Sequence, residues 1–80
     1  YVTAQANYGD LLRRAGRHEE ALVVLGRTLE LNPDDLDVAN NLGDVLLSLQ
    51  RLDEAAAKFE AILRLDASYT RARINLGLVR

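Results

Sequence analysis

Apolar residues fall along this chain at helical intervals. Val38, Leu42, Val45, Leu46 and Leu49 follow the i, i+4, i+7, i+8, i+11 spacing that gathers side chains on one face of an α-helix. Ala4, Tyr8, Leu11, Leu12 and Ala15 draw the same stripe 34 residues earlier. A second stripe, Ala21, Leu25, Thr28 and Leu29, has its copy in Ala55, Phe59, Ile62 and Leu63. The residues between stripes are helix stops and starts. Gly16 can adopt the left-handed conformation that ends a helix. Its counterpart Gln50 does so at a cost, so the second turn is expected to be less comfortable. In Asn32-Pro33-Asp34-Asp35, Pro33 forbids helical continuation and Asp34 is the predicted N-cap of the next helix. Ser68, again 34 residues on, is predicted to cap the last helix. The pattern predicts five helices, at about 3–15, 18–31, 36–49, 52–65 and 69–80.

The stripes are part of a wider self-similarity. Gly9, Gly43 and Gly77 stand 34 apart, as do Asn7, Asn41 and Asn75, and Tyr8, Leu42 and Leu76. Asp10 matches Asp44, Leu12 matches Leu46, Arg17 matches Arg51, and Glu20-Ala21 matches Glu54-Ala55. Leu29 and Leu31 match Leu63 and Leu65. The chain therefore divides into units 2–35 and 36–69 and a partial unit 70–80, together one repeat domain spanning 1–80.

A 34-residue helix–turn–helix period with these residues in register resembles the tetratricopeptide repeat. The second unit carries Asn41-Leu42-Gly43, Leu46, Glu54-Ala55, Phe59 and Leu63. The first carries Asn7-Tyr8-Gly9, Leu12, Gly16, Glu20-Ala21, Leu25 and Pro33. The resemblance implies an all-α solenoid of antiparallel helical hairpins in a right-handed superhelical stack. There are departures. Gln5, Ala39 and Arg73 replace the early aromatic, Thr28 and Ile62 replace a small residue, and Ala67 replaces the proline. Looser packing than the family average is expected at those positions.

Composition agrees with helices on helices and narrows the chemistry. Apolar residues are 49% and charged residues 28% of 80, the balance of a folded chain, with one proline and five glycines. No apolar run is long enough to span a bilayer, so no membrane insertion is expected. A net charge of −2 gives no footprint for nucleic acid. With no cysteine and a single histidine, His18, a nucleophile, base and orienting group cannot be assembled in the usual way. No phosphate loop or metal-ligand spacing is present. The acidic pairs Glu19-Glu20 and Asp34-Asp35 suit first turns and caps. The expectation is no enzyme and no cofactor.

The resemblance implies a binding role for the first helix of each unit, which in this family lines the concave surface. That set is Thr3, Ala6, Asn7, Asp10, Arg13 and Arg14, then Asp37, Asn40, Asn41, Asp44, Leu47 and Ser48, then Arg71, Ile74, Asn75 and Leu78. Asn7, Asn41 and Asn75 would align as a ladder of amides. Each can donate to and accept from an extended peptide backbone without reading its side chains. A similar ladder occurs in the repeats of O-linked N-acetylglucosamine transferases. The same amides equally suit packing between helices. The clamp that binds the terminal carboxylate of heat-shock chaperones is not made, because its lysine and asparagine positions hold Ala6 and Asp10. Peptide-facing residues are thus expected at Asn7, Asn41, Asn75, Asp10, Asp44, Arg14 and Arg71.

The ends suggest a second role. Val2, Tyr8 and Leu11 at one end, and Ile74, Leu76, Leu78 and Val79 at the other, carry no polar cap. Either the chain is an excerpt of a longer array, or copies stack end to end into a homo-oligomer or filament. Units 2–35 and 36–69 carry −2 and −3 (four bases against six acids, then three against six), whereas 70–80 carries +3. That asymmetry favours head-to-tail contact, and Arg13, Arg14 and Arg17 near the start offset it.

Overall fold

The computed structural model describes residues 14–79, which form four helices: α1 His18–Leu31, α2 Leu36–Ser48, α3 Leu52–Leu65 and α4 Thr70–Val79. The predicted first helix, 3–15, lies outside the described residues except for its end, where Arg14 is helical and the chain turns through Ala15 and Gly16. Each helix packs on the next, and α2 also touches α4. Among the described residues the fold is all-α, built of helical hairpins.

Both stripes form the core. Ala21, Leu25 and Thr28 of α1, Val38, Leu42, Val45 and Leu46 of α2, and Ala55, Phe59 and Ile62 of α3 are all buried. Leu29, Leu49 and Leu63 pack against them half-buried. Thr28, where the family keeps a smaller residue, satisfies its hydroxyl by donating to the Val24 carbonyl at 2.8 Å. Gly43 lies directly beneath the Phe59 ring. A Cβ there would stand 2.5 Å from Cε1 and 2.7 Å from Cζ, so the helices approach this closely only because the side chain is absent.

The turns repeat with the same register. Gly16 has φ +80° and Gln50 has φ +63°. At Gln50 the Arg51 N–H donates to Leu46 O at 2.9 Å and the Gln50 N–H to Leu47 O at 3.1 Å, the paired bonds of a Schellman motif. Gln50 therefore ends α2 as a glycine would, with a Cβ in the left-handed region. In the other turns, Asp35 N–H donates to Asn32 O and Tyr69 N–H to Asp66 O, both at 3.1 Å. The second keeps this shape without a proline. Asp66 accepts from the Ser68 N–H at 3.0 Å and from the Ser68 hydroxyl at 2.6 Å, and these bonds, the hydroxyl first, hold its carboxyl below the usual range.

Two capping expectations are corrected. Asp35, not Asp34, caps α2, accepting from Val38 N–H at 3.2 Å. Ser68 spends its hydroxyl on Asp66 rather than on a helix end, and α4 begins at Thr70. Arg17 and Arg51 precede α1 and α3 without side-chain caps. Each instead lays a two-pronged guanidinium on Glu20 or Glu54 at 2.8–2.9 Å. These exposed forks fix the register of the first turn more than they add stability.

Candidate protein-interaction face

The first helices of successive hairpins, α2 and α4, lie side by side, and their facing edges carry polar side chains 31 to 35 residues apart in sequence. At the N-terminal end the Tyr69 hydroxyl donates to Asp37 Oδ1. Half-burial, and then that bond, push the phenol up to about 12, against an opposing pull from Arg71. Arg71 places its guanidinium over the Tyr69 ring, 5.8 Å from the centroid, with Nη1 3.6 Å from Asp37 Oδ1. These groups surround a shallow cleft of about 170 Å³ lined by Asp37, Tyr69, Thr70 and Arg71.

One turn further along, the Asn75 amide nitrogen donates to Asn40 Oδ1 at 3.1 Å and to Asp44 Oδ1 at 2.8 Å. Both hydrogens of that amide are spent inside the protein, which leaves Asn75 a carbonyl oxygen to offer a ligand. Asn40, expected to face the groove, is 1% exposed and serves as an internal acceptor. Asn41 is half-buried, and its amide is unspent among the described residues. Asp44 is half-buried, and Arg14 is exposed at the turn before α1.

The remaining expected residues divide between surface and core. Ile74 and Leu78 are 59% and 68% exposed and share the helical face of Arg71 and Asn75. Leu76 and Val79 pack half-buried against the core. Nothing lies within 4 Å of where a Cβ of Gly77 would stand. Asn7, Asp10, Val2, Tyr8 and Leu11 lie outside the described residues. Sequence spacing does not single out Tyr69. Its signal is its register, since it falls where the preceding unit has the capping Asp35 and stands two residues before Arg71.

Catalytic and metal chemistry find little here. His18 Nδ1 is buried without a hydrogen-bond partner among the described residues. Among those residues, no group of three or more His, Asp or Glu side chains is placed to hold a metal ion. No described helix is long and apolar enough to cross a membrane.

The known proteins that this chain resembles agree with its geometry. A family model described as tetratricopeptide repeat matches residues 7–70. A TPR repeat-containing thioredoxin of Arabidopsis thaliana, TTL4, is 32% identical over 69 residues, which is 86% of this chain. The chain spans 10% of that relative's length.

Proposed function

Because the chain belongs to the tetratricopeptide repeat family, whose general role is protein–protein interaction, we propose that it holds an extended segment of a partner protein on the face formed by α2 and α4. The observation that carries this reading is the amide of Asn41, which makes no hydrogen bond among the described residues. It sits half-exposed beside a polar seam in which the Asn40 and Asn75 amides are already committed to each other. A side-chain amide offers a donor and an acceptor and so matches a peptide unit, which presents one of each. Asn75 contributes its remaining oxygen, and Asn7 extends the ladder by register. Arg14, Asp10, Asp44 and Arg71 set the charge along the track. No catalytic step is assigned, since among the described residues His18 has neither a nucleophile nor an orienting carboxylate bonded to Nδ1.

The test is Asn41→Ala in the full chain, with affinity for a selected peptide ligand read by fluorescence anisotropy. A loss of about tenfold is expected, the worth of one or two hydrogen bonds, with the circular dichroism unchanged. Unchanged affinity would remove the ladder as a binding device.

A second reading is favoured by α4. Gly43 is covered by Phe59, whereas the matching surface at Gly77 is open and Leu76 and Val79 are only half-buried. Another helix fits there, either from a further hairpin or from a second copy stacked end to end. Light scattering of the 80-residue chain separates the two. Concentration-dependent polymers abolished by Val79→Glu support stacking of copies, and a monodisperse monomer at high concentration rejects it.

A further inference from the structure

We propose that the cleft between Asp37 and Tyr69 is a binding site for a basic side chain of the partner peptide, and that Arg71 occupies it in the free protein. The inference rests on the peptide-binding reading of the α2–α4 face and names which peptides that face prefers.

Arg71 sits as a ligand would. Its guanidinium lies over an aromatic face at 5.8 Å, within the distance at which a cation is attracted by the ring quadrupole. Its nearest approach to Asp37 is 3.6 Å, too long for a hydrogen bond. Arg17 and Arg51 behave differently, since each is locked by two bonds of 2.8–2.9 Å to a carboxylate. Arg71 and Asp37 are also 58% and 73% exposed. Arg71 thus rests on its site without being fastened to it.

The site beneath is better fixed than its occupant. The Tyr69 hydroxyl donates to Asp37 Oδ1, which holds ring and carboxylate together across the two helices. With Arg71 swung aside, an aromatic face and an oriented carboxylate remain. That pairing attracts an arginine or lysine through cation–π and charge-assisted contacts together. An anionic ligand is disfavoured, because the fields of both Asp37 and Asp35 reach the Tyr69 hydroxyl and, among the described residues, Arg71 is the cation set against them there. Arg73 is turned away, donating to the Ala67 carbonyl. In the preceding unit Asp35 stands in the place of Tyr69 and Asp37 in the place of Arg71, so among the described residues this pairing is made once.

The rest of α4 extends the preference. Ile74 and Leu78 lie on the same face as Arg71, about 4.5 and 10.5 Å further along at 1.5 Å per residue. Both are largely exposed, where α2 has Asn40 and Asp44. An extended strand rises about 3.3 Å per residue and turns alternate side chains to one face, so an apolar side chain two positions from the basic one, about 6.6 Å on, falls between Ile74 and Leu78.

The probe is a fluorescein-labelled, end-blocked decapeptide with one arginine and a leucine two residues away in a serine–alanine background. Its control has citrulline in place of the arginine. Anisotropy with the full chain at low salt is expected to show about threefold to tenfold tighter binding of the arginine peptide. Arg71→Ala, which vacates the site, should strengthen that binding further, and Asp37→Asn should erase the difference between the peptides. Weaker binding by Arg71→Ala overturns the proposal, because Arg71 would then be an anchor rather than a placeholder. Equal binding of both peptides overturns the cation site and leaves the groove reading standing. Binding of neither peptide, to the parent or to Arg71→Ala, overturns both.

Discussion

Replacing Gly43 by alanine tests the closest packing contact in the fold. Alanine in a helix interior is favoured over glycine by about 1 kcal/mol, so without tertiary contacts the change would stabilise α2. Here the new Cβ meets the Phe59 ring edge at 2.5 and 2.7 Å, where carbon atoms prefer about 3.5–4.0 Å. The ring has nowhere to retreat, since Phe59 is 0% exposed within the buried core. Overpacking of this kind costs about 1–3 kcal/mol, and a clash this short against a boxed-in ring belongs at the upper end. The net expectation for Gly43→Ala is a loss of about 2 kcal/mol, or about 10 °C in Tm for a domain of this size. Gly26 and Gly77 are helical glycines with nothing within 4 Å of the corresponding Cβ. The same substitution there should leave stability unchanged or raise it by up to about 1 kcal/mol. Urea denaturation followed by far-ultraviolet circular dichroism gives all three values. A double-mutant cycle with Phe59→Leu should show the two changes coupled, the smaller side chain relieving most of the clash. A Gly43→Ala chain as stable as the parent, or a coupling energy near zero, would refute the packing argument.

Other expectations rest on single contacts. Gln50→Gly should stabilise the chain by about 1 kcal/mol in thermal melts, because φ +63° there is strained for any residue with a Cβ. Asn75→Ala should cost about 1–2 kcal/mol by urea titration, since it strips Asn40, which is buried, and Asp44 of a shared donor. Asn75→Asp should cost more, setting an acceptor and a charge against Asp44. The Tyr69 phenol is raised from 10.0 to about 12, so the stability it contributes is fully present below about pH 10 and lost as the pH climbs through about 12. Tyr69→Phe should therefore differ most from the parent below about pH 10. One of the three tyrosines of the parent should also titrate late in its tyrosinate absorbance.

Much of this architecture is legible in the spacing of residues, because a repeat states each of its rules more than once. The stripes led by Ala21, Val38 and Ala55 mark the buried faces, and Gly16 and Gln50 mark the left-handed turns. Register alone is silent about contacts between units. Nothing in the spacing of Gly43 reveals that Phe59 lies over it. Asp34 and Asp35 have the same capping chemistry, and the choice between them is made by the bond from Asp35 N–H to Asn32 O, which sets where α2 can begin. Asn40 and Asn41 are adjacent polar residues on a predicted groove face. Only the packing of α4 against α2 decides that the first is an internal acceptor, while the second makes no side-chain hydrogen bond among the described residues. Tyr69 escapes for a similar reason, since its partner Asp37 is a whole hairpin away in sequence.

The proposed partner site is the α2–α4 face. Side-chain and backbone amide NMR of the 80-residue chain, titrated with a peptide ligand, tests it most directly. Shifts should concentrate at Asp37, Asn41, Ser48, Arg71 and Leu78, with the side-chain amide of Asn41 among the largest. Shifts centred instead on the exposed surfaces of α1 and α3, around Val23, Arg27 and Ala57, with Asn41 unmoved, would contradict it.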